Sequence, residues 1–305
     1  MFSLAVAIVS WGLAPVFIRF MRSAYDPYSQ AFIRYVFSAG ALAAVCLATR
    51  RAEFLALVRR PGPILGMACL NTFQQTVWTL GCYGASATLA QLTAQLSVVF
   101  VIVFSFFVFH EERRVIRSPV YLVGTALSFG GVAAVLTGGG NSTGPILTWS
   151  SVWLLMTALC WGIYVVWAKH LVMRCHPIPM FAALSVFTAL GAAAESVVFG
   201  SPRCILHAGA GITVVAFVSG LLPLAAAHPA YHFAQKHLGS AFSSSCNLFT
   251  PVLTYGFALL ILDDAPLTWT QWLGAGVLLS GALMVVWAGR RASSSPGPGE
   301  AASPF

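Results

Sequence analysis

The chain has 305 residues, of which 58% are hydrophobic and only 8% charged, with a formal net charge of +8. A soluble domain carries about 25% charged residues, so this composition excludes a molecule wetted on all sides, whereas a surface facing lipid needs no charge. The basic residues sit in short clusters between apolar runs, which makes them topology determinants at the membrane face and not a nucleic-acid surface.

Apolar runs bounded by charges, glycine and proline give ten candidate spans, at 2–20, 30–48, 63–81, 85–109, 119–137, 150–168, 178–199, 211–234, 238–262 and 270–288. They approach the roughly 20 residues that cross a bilayer as a helix and lack the ten-residue alternation of a membrane barrel. The first has no basic stretch before it and no small-residue cleavage site after it, so it reads as a retained span, not a signal peptide. In span two, Arg34 stands a turn or more from the outer end, placed either to attract an anionic group or to snorkel to the interface.

Span three carries Asn71, Gln74, Gln75 and Trp78 at i, i+3, i+4 and i+7, which is one helical face, and Thr88, Gln91 and Gln95 repeat the spacing in span four. Glu195, near the outer end of span seven, is the one acid clearly within a span and reads as an interfacial or paired group. His228, His232 and Gln235 mark span eight, and Ser243, Asn247, Thr250 and Thr254 mark span nine. Pro15, Pro223 and Pro251 lie inside spans one, eight and nine, where each frees a carbonyl at depth and signals either a break beside a cavity or a kink that shapes packing. The tail from Ala292 is small, polar and rich in proline and glycine, so it reads as disordered. The seven cysteines are odd in number and have no paired spacing, so neither a disulfide framework nor a zinc site is indicated.

On alternate sides of the spans, Arg19, Arg22 and Arg203 lie together while twelve basic residues gather opposite. That bias places both termini in the cytoplasm. The outward loop after span five holds Asn141-Ser142-Thr143, a glycosylation sequon that a Gly/Ser loop also produces by chance.

An internal repeat organises the spans. Trp11-Gly12 recurs as Trp161-Gly162, Pro27 as Pro177, and Gly124 and Gly131 as Gly274 and Gly281, all at an offset of 150. The acidic pairs Glu111-Glu112 and Asp263-Asp264 follow at 152, as do Gln95 and Asn247. Five spans per repeat is an odd number, so the second half enters the membrane from the opposite face, the arrangement of an alternating-access carrier. The fold class is therefore all-α integral membrane, with ten transmembrane helices as two inverted-topology five-helix repeats at 1–140 and 141–291, then the tail at 292–305.

SWGLAPVFIRF and CWGIYVVWAKH open the two halves, DPYSQAFIRYVFSAG enters span two, AYHFAQKHLGSAFSSSCNLFTPVLTYGFALLILDD spans eight to nine, and QWLGAGVLLSGALMVV closes the second half. In these segments the chain resembles the drug/metabolite transporter superfamily, specifically its EamA-type ten-helix carriers, over residues 1 to about 290. The first half lacks a proline where Pro251 maps, near Val99, and Leu184 stands where Arg34 maps. The resemblance implies transport without naming a solute, and its matching arginine points to Arg34 on the pathway.

The candidate lining of a central cavity is Trp11, Arg34, Asn71, Gln75, Trp78, Gln91, Gln95, Trp161, Tyr164, His232 and Asn247. The plain alternative is that such intramembrane amides bond only to neighbouring helices. The expected function is secondary-active or facilitative transport, read as export, of a small polar metabolite such as an amino acid. No cofactor is expected. The expected partners are that solute and the lipid bilayer of the plasma, or bacterial inner, membrane, with a homodimer left open. No Walker-type loop is present to couple ATP. A membrane enzyme using His228 and His232 or the His110-Glu111-Glu112 cluster, and a non-transporting assembly or receptor protein, are the alternatives.

Overall fold

The computed structural model describes residues 2–108, 118–138, 148–238, 243, 246–262 and 264–293, and among these it is helical throughout, without strands. The first half comprises α1 (Phe2–Met21), α2 (Pro27–Thr49), a short amphipathic α3 (Arg51–Arg59), α4 (Gly62–Gly84), α5 (Ala87–Ala94), α6 (Ser97–Val108) and α7 (Pro119–Thr137). The second comprises α8 (Trp149–Val172), α9 (Pro177–Phe199), a short α10 (Arg203–His207), α11 (Ala210–Gly220), a π-helical stretch (Leu221–Ala226), α12 (Ala227–Leu238), α13 (Thr250–Ile261) and α14 (Trp269–Ser293).

Seven stretches among the described residues are long and apolar enough to cross a membrane: α1, α2, α7, α8, α9, the continuous run from α11 to α12, and α14. Helix α4 is as long as α2, but its amides dilute its hydropathy. The α5–α6 pair and α13 are shorter apolar pieces. Short α3 and α10 were not anticipated from the sequence, because neither is long enough to show a period. The tail reading starts too early, since Ala292 and Ser293 still belong to α14; the rest of the tail, the sequon and the Glu111-Glu112 pair lie outside the described residues.

The repeated prolines work as helix starts. Asp26 caps α2, its carboxylate accepting from the amides of Tyr28 and Ser29 at 3.0 and 2.9 Å, and Pro27 supplies the first helical residue, whose missing N–H would have had no helical partner. At the matched place, His176 Nδ1 accepts from the Ile178 amide and Pro177 starts α9. Local chemistry thus turns the sequence repeat into two helices with the same entry.

Packing then shows the symmetry. Helix α2 lies on its counterpart α9, and α7 lies on its counterpart α14. Helix α4 packs on α8 as the α11–α12 run packs on α1, and α6 meets α8 as α13 meets α1. The paired helices run antiparallel: Ser29 Oγ meets Ser196 Oγ at 2.7 Å, and further along α2 Ser38 faces Ser185. Where α7 crosses α14, an added Cβ on Gly281 would sit 2.6 Å from the Gly124 carbonyl, and one on Gly274 would sit 3.0 Å from the Gly131 carbonyl. The four glycines that repeat in the sequence are the four at this crossing, where their lack of a side chain lets two backbones touch. Gly12 and Gly162 do the same for α1 on α13 and α8 on α6, receiving Leu253 and Phe100. The two halves are inverted copies meeting across a pseudo-two-fold axis.

Candidate functional site

On that axis lies a cavity of about 90 Å3, several times the space one water requires. Trp11, Arg34, Gln75, Trp78, Gln91, Gln95, Trp161 and Asn247 line it, together with Gln74, Ser97, Thr157, Pro223, His228 and small apolar neighbours. Both halves contribute, and the repeat-matched pairs Trp11/Trp161 and Gln95/Asn247 face the same space.

The helices around it are broken. In span four, Gln95 and Leu96 bond back three residues, to Leu92 and Thr93, and separate α5 from α6. In span nine the Phe249 amide reaches Cys246 in the same way just before α13 begins. Pro251 accompanies the second break, but the first occurs without any proline. The π-helical stretch around Pro223 interrupts span eight, and the Pro223 carbonyl, facing depth, accepts from Trp11 Nε1 at 3.1 Å. Irregular backbone at membrane depth is stable only where protein or a cavity satisfies it, and π-bulges recur at functional sites. Pro15 behaves otherwise: α1 continues unbroken through it, so the sequence signal for a break there does not hold.

Aromatic rings close one wall. Trp11 meets Trp161 edge-on at 5.5 Å between centroids, Trp161 stacks on Tyr164 at 5.0 Å, and His228 stacks on Phe181 at 4.4 Å. Gln75 Nε2 donates to Gln74 Oε1 at 2.8 Å, and Thr250 donates to the Asn247 side-chain oxygen at 2.7 Å, which orients these amides. The Gln95 side-chain oxygen is buried without a hydrogen-bond partner.

Arg34 does not snorkel. It is 1% exposed, and its Nε donates to Ser219 Oγ at 2.8 Å. Both terminal nitrogens are buried without hydrogen-bond partners.

The profile of the EamA-like transporter family matches residues 1–137 and again residues 148–287. The chain belongs to the EamA-like transporter family. It is an integral membrane protein of a family of transporters, built from two such repeats. A protein of known crystal structure is 18% identical with a TM-score of 0.69, over 96% of this chain and 98% of that one, a likeness that speaks for the fold alone. No curated protein matches the chain.

Three sequence candidates stand behind the cavity wall. Asn71, one turn nearer the start of α4 than Gln75, donates to the Tyr35 hydroxyl at 2.8 Å and to Thr188 Oγ1 at 3.1 Å, tying α2, α4 and α9 together. Tyr164 and His232 meet at 3.3 Å, and His232 also bonds Gln235. Among the described residues no three His, Cys, Asp or Glu side chains come together as metal ligands. Glu195 accepts from Thr76 Oγ1. Sequence reasoning missed Ser97 and Thr157, isolated hydroxyl residues whose lining role follows only from how the helices are rotated.

Proposed function

We propose that this protein is a secondary carrier that moves a small polar metabolite through the central cavity by alternating access. Helices α4, the α5–α6 pair and α13 complete ten crossings with the seven apolar spans, in repeats at about 1–140 and 141–291. The charge bias supports both termini in the cytoplasm; a plasma or bacterial inner membrane and export are the working reading of membrane and direction.

The observation that carries this reading is the matched lining. Equivalent residues of inverted halves, Trp11 with Trp161 and Gln95 with Asn247, line one cavity beside broken helices. Rocking one half on the other exchanges the roles of the two copies and so the open face. On one rim, Arg19 pairs with Asp264 at 3.1 Å and donates to the Ala85 carbonyl, tying the end of α1 to the segment after α13. Opening towards that rim requires this pair to part.

Reconstituted in liposomes, the protein is expected to move solute, and Gln75→Ala and Asn247→Ala are expected each to lower the rate about tenfold or more, the loss of roughly one hydrogen-bonded contact made to solute. Transport of an identified solute that survives both changes overturns the assignment of the cavity. Solute counterflow loaded from either side reads the direction.

A further inference from the structure

Among the described residues, Arg34 is a buried cation without an anion. The chain's acids are Asp26, Glu53, Glu111, Glu112, Glu195, Asp263, Asp264 and Glu300. Of the described ones, Asp26 caps α2, Glu53 pairs with Arg50, Glu195 accepts from Thr76 and Asp264 pairs with Arg19. No described acid lines the cavity. Buried charges in proteins are normally paired, because desolvating an ion alone is strongly unfavourable. Arginine does not escape this by losing its proton. Here one nitrogen is held by Ser219, fixing the plane, while the other two nitrogens are left with nothing to donate to.

Resting on the carrier reading above, we infer that the transported solute is a monoanion bearing a carboxylate, and that Arg34 is its binding residue. A planar guanidinium with two free amino groups presents the fork that a carboxylate fills with two parallel hydrogen bonds. One cation balances one negative charge, which disfavours a dianion such as hydrogen phosphate. The repeat equivalent of Arg34 is the buried Leu184, so the second half supplies no second cation at the matched place. The rest of the described lining carries no acid: the amides, the Trp faces, the His228 ring stacked on Phe181, and the unpartnered side-chain oxygen of Gln95, which accepts from a hydroxyl of the solute. Nothing described there carries the negative charge that the ammonium group of an amino acid would seek. Among small polar metabolites the site therefore selects organic acids, hydroxy acids above all, over zwitterions and cations.

The test uses the full-length purified protein with lactate and benzoate, their neutral amides lactamide and benzamide, the zwitterion alanine, and inorganic phosphate. Melting temperature in detergent reads binding, and uptake into liposomes reads transport. The two carboxylates are expected to raise the melting temperature at millimolar concentration, and the amides, alanine and phosphate are not. In Arg34→Gln the carboxylate affinity is expected to fall about thirtyfold or more. Without ligand, Arg34→Gln is expected to melt no lower than the wild type, because an uncompensated buried charge has been removed; Arg34→Lys keeps the charge and is expected to retain part of the affinity. Equal stabilisation by alanine or the amides, no stabilisation by either carboxylate, or carboxylate binding that survives Arg34→Gln each overturns the inference. Carboxylates that bind but never cross the bilayer overturn the carrier reading instead, whereas transport confined to neutral or zwitterionic solutes overturns the inference and leaves the carrier standing.

Discussion

At Asp26 one carboxylate serves two chain segments. It caps α2, and its second oxygen accepts from the Ser201 amide at 2.9 Å and from Cys204 Sγ, holding the end of α9 beside the start of α2. Burial alone would push this carboxyl up, but the hydrogen bonds from Ser29, Ser201 and Cys204 outweigh it and hold the group below the ordinary carboxylate range. With the folded value below the unfolded value of about 3.9, the contribution is complete above that pH and is lost as pH falls through the folded value. Asp26→Ala is expected to lower stability by about 1 kcal/mol at neutral pH. In Asp26→Asn the acid-side decline of the melting temperature is expected to be shallower than in the wild type, as read by thermal unfolding at stepped pH.

Helices differ in how much of their behaviour their own residues announce. The four glycines of the α7–α14 crossing were legible as a repeat at constant offset, but not as the place where two backbones meet. Gly281→Val is expected to cost about 1–3 kcal/mol in thermal unfolding, since its new side chain meets the Gly124 carbonyl. Gly276→Ala, where nothing lies within 4 Å, is expected to be neutral or slightly stabilising. The break at Gln95 and Leu96 was not legible, because no proline or glycine marks it and the matching Pro251 has no partner in the first half. The polar stripe of α4 was read as one face, yet a stripe cannot say where the cavity ends along its length. Gln75 and Trp78 reach the cavity, while Asn71, one turn away, is taken up by Tyr35 and Thr188. For Arg34 the sequence left two outcomes open, and it is the Ser219 hydroxyl, 185 positions away, that decides for the interior.

Across the whole molecule, the two repeats are inverted with respect to each other, and the inversion decides which helices meet. Counterparts α2 and α9, and α7 and α14, lie on each other, while the broken helices of each half meet the intact first helix of the other. On the carrier reading proposed above, such an arrangement has two equivalent ways to tilt, each opening the cavity to one face. This two-way access is tested most directly by placing a single cysteine at Gln95 in a variant whose seven native cysteines are replaced by serine or alanine. The protein is then labelled in sealed vesicles with a membrane-impermeant thiol reagent added from one side or the other. Labelling from both sides is expected, with solute on either side slowing both reactions together. Labelling from one side only, under every solute condition, would contradict it.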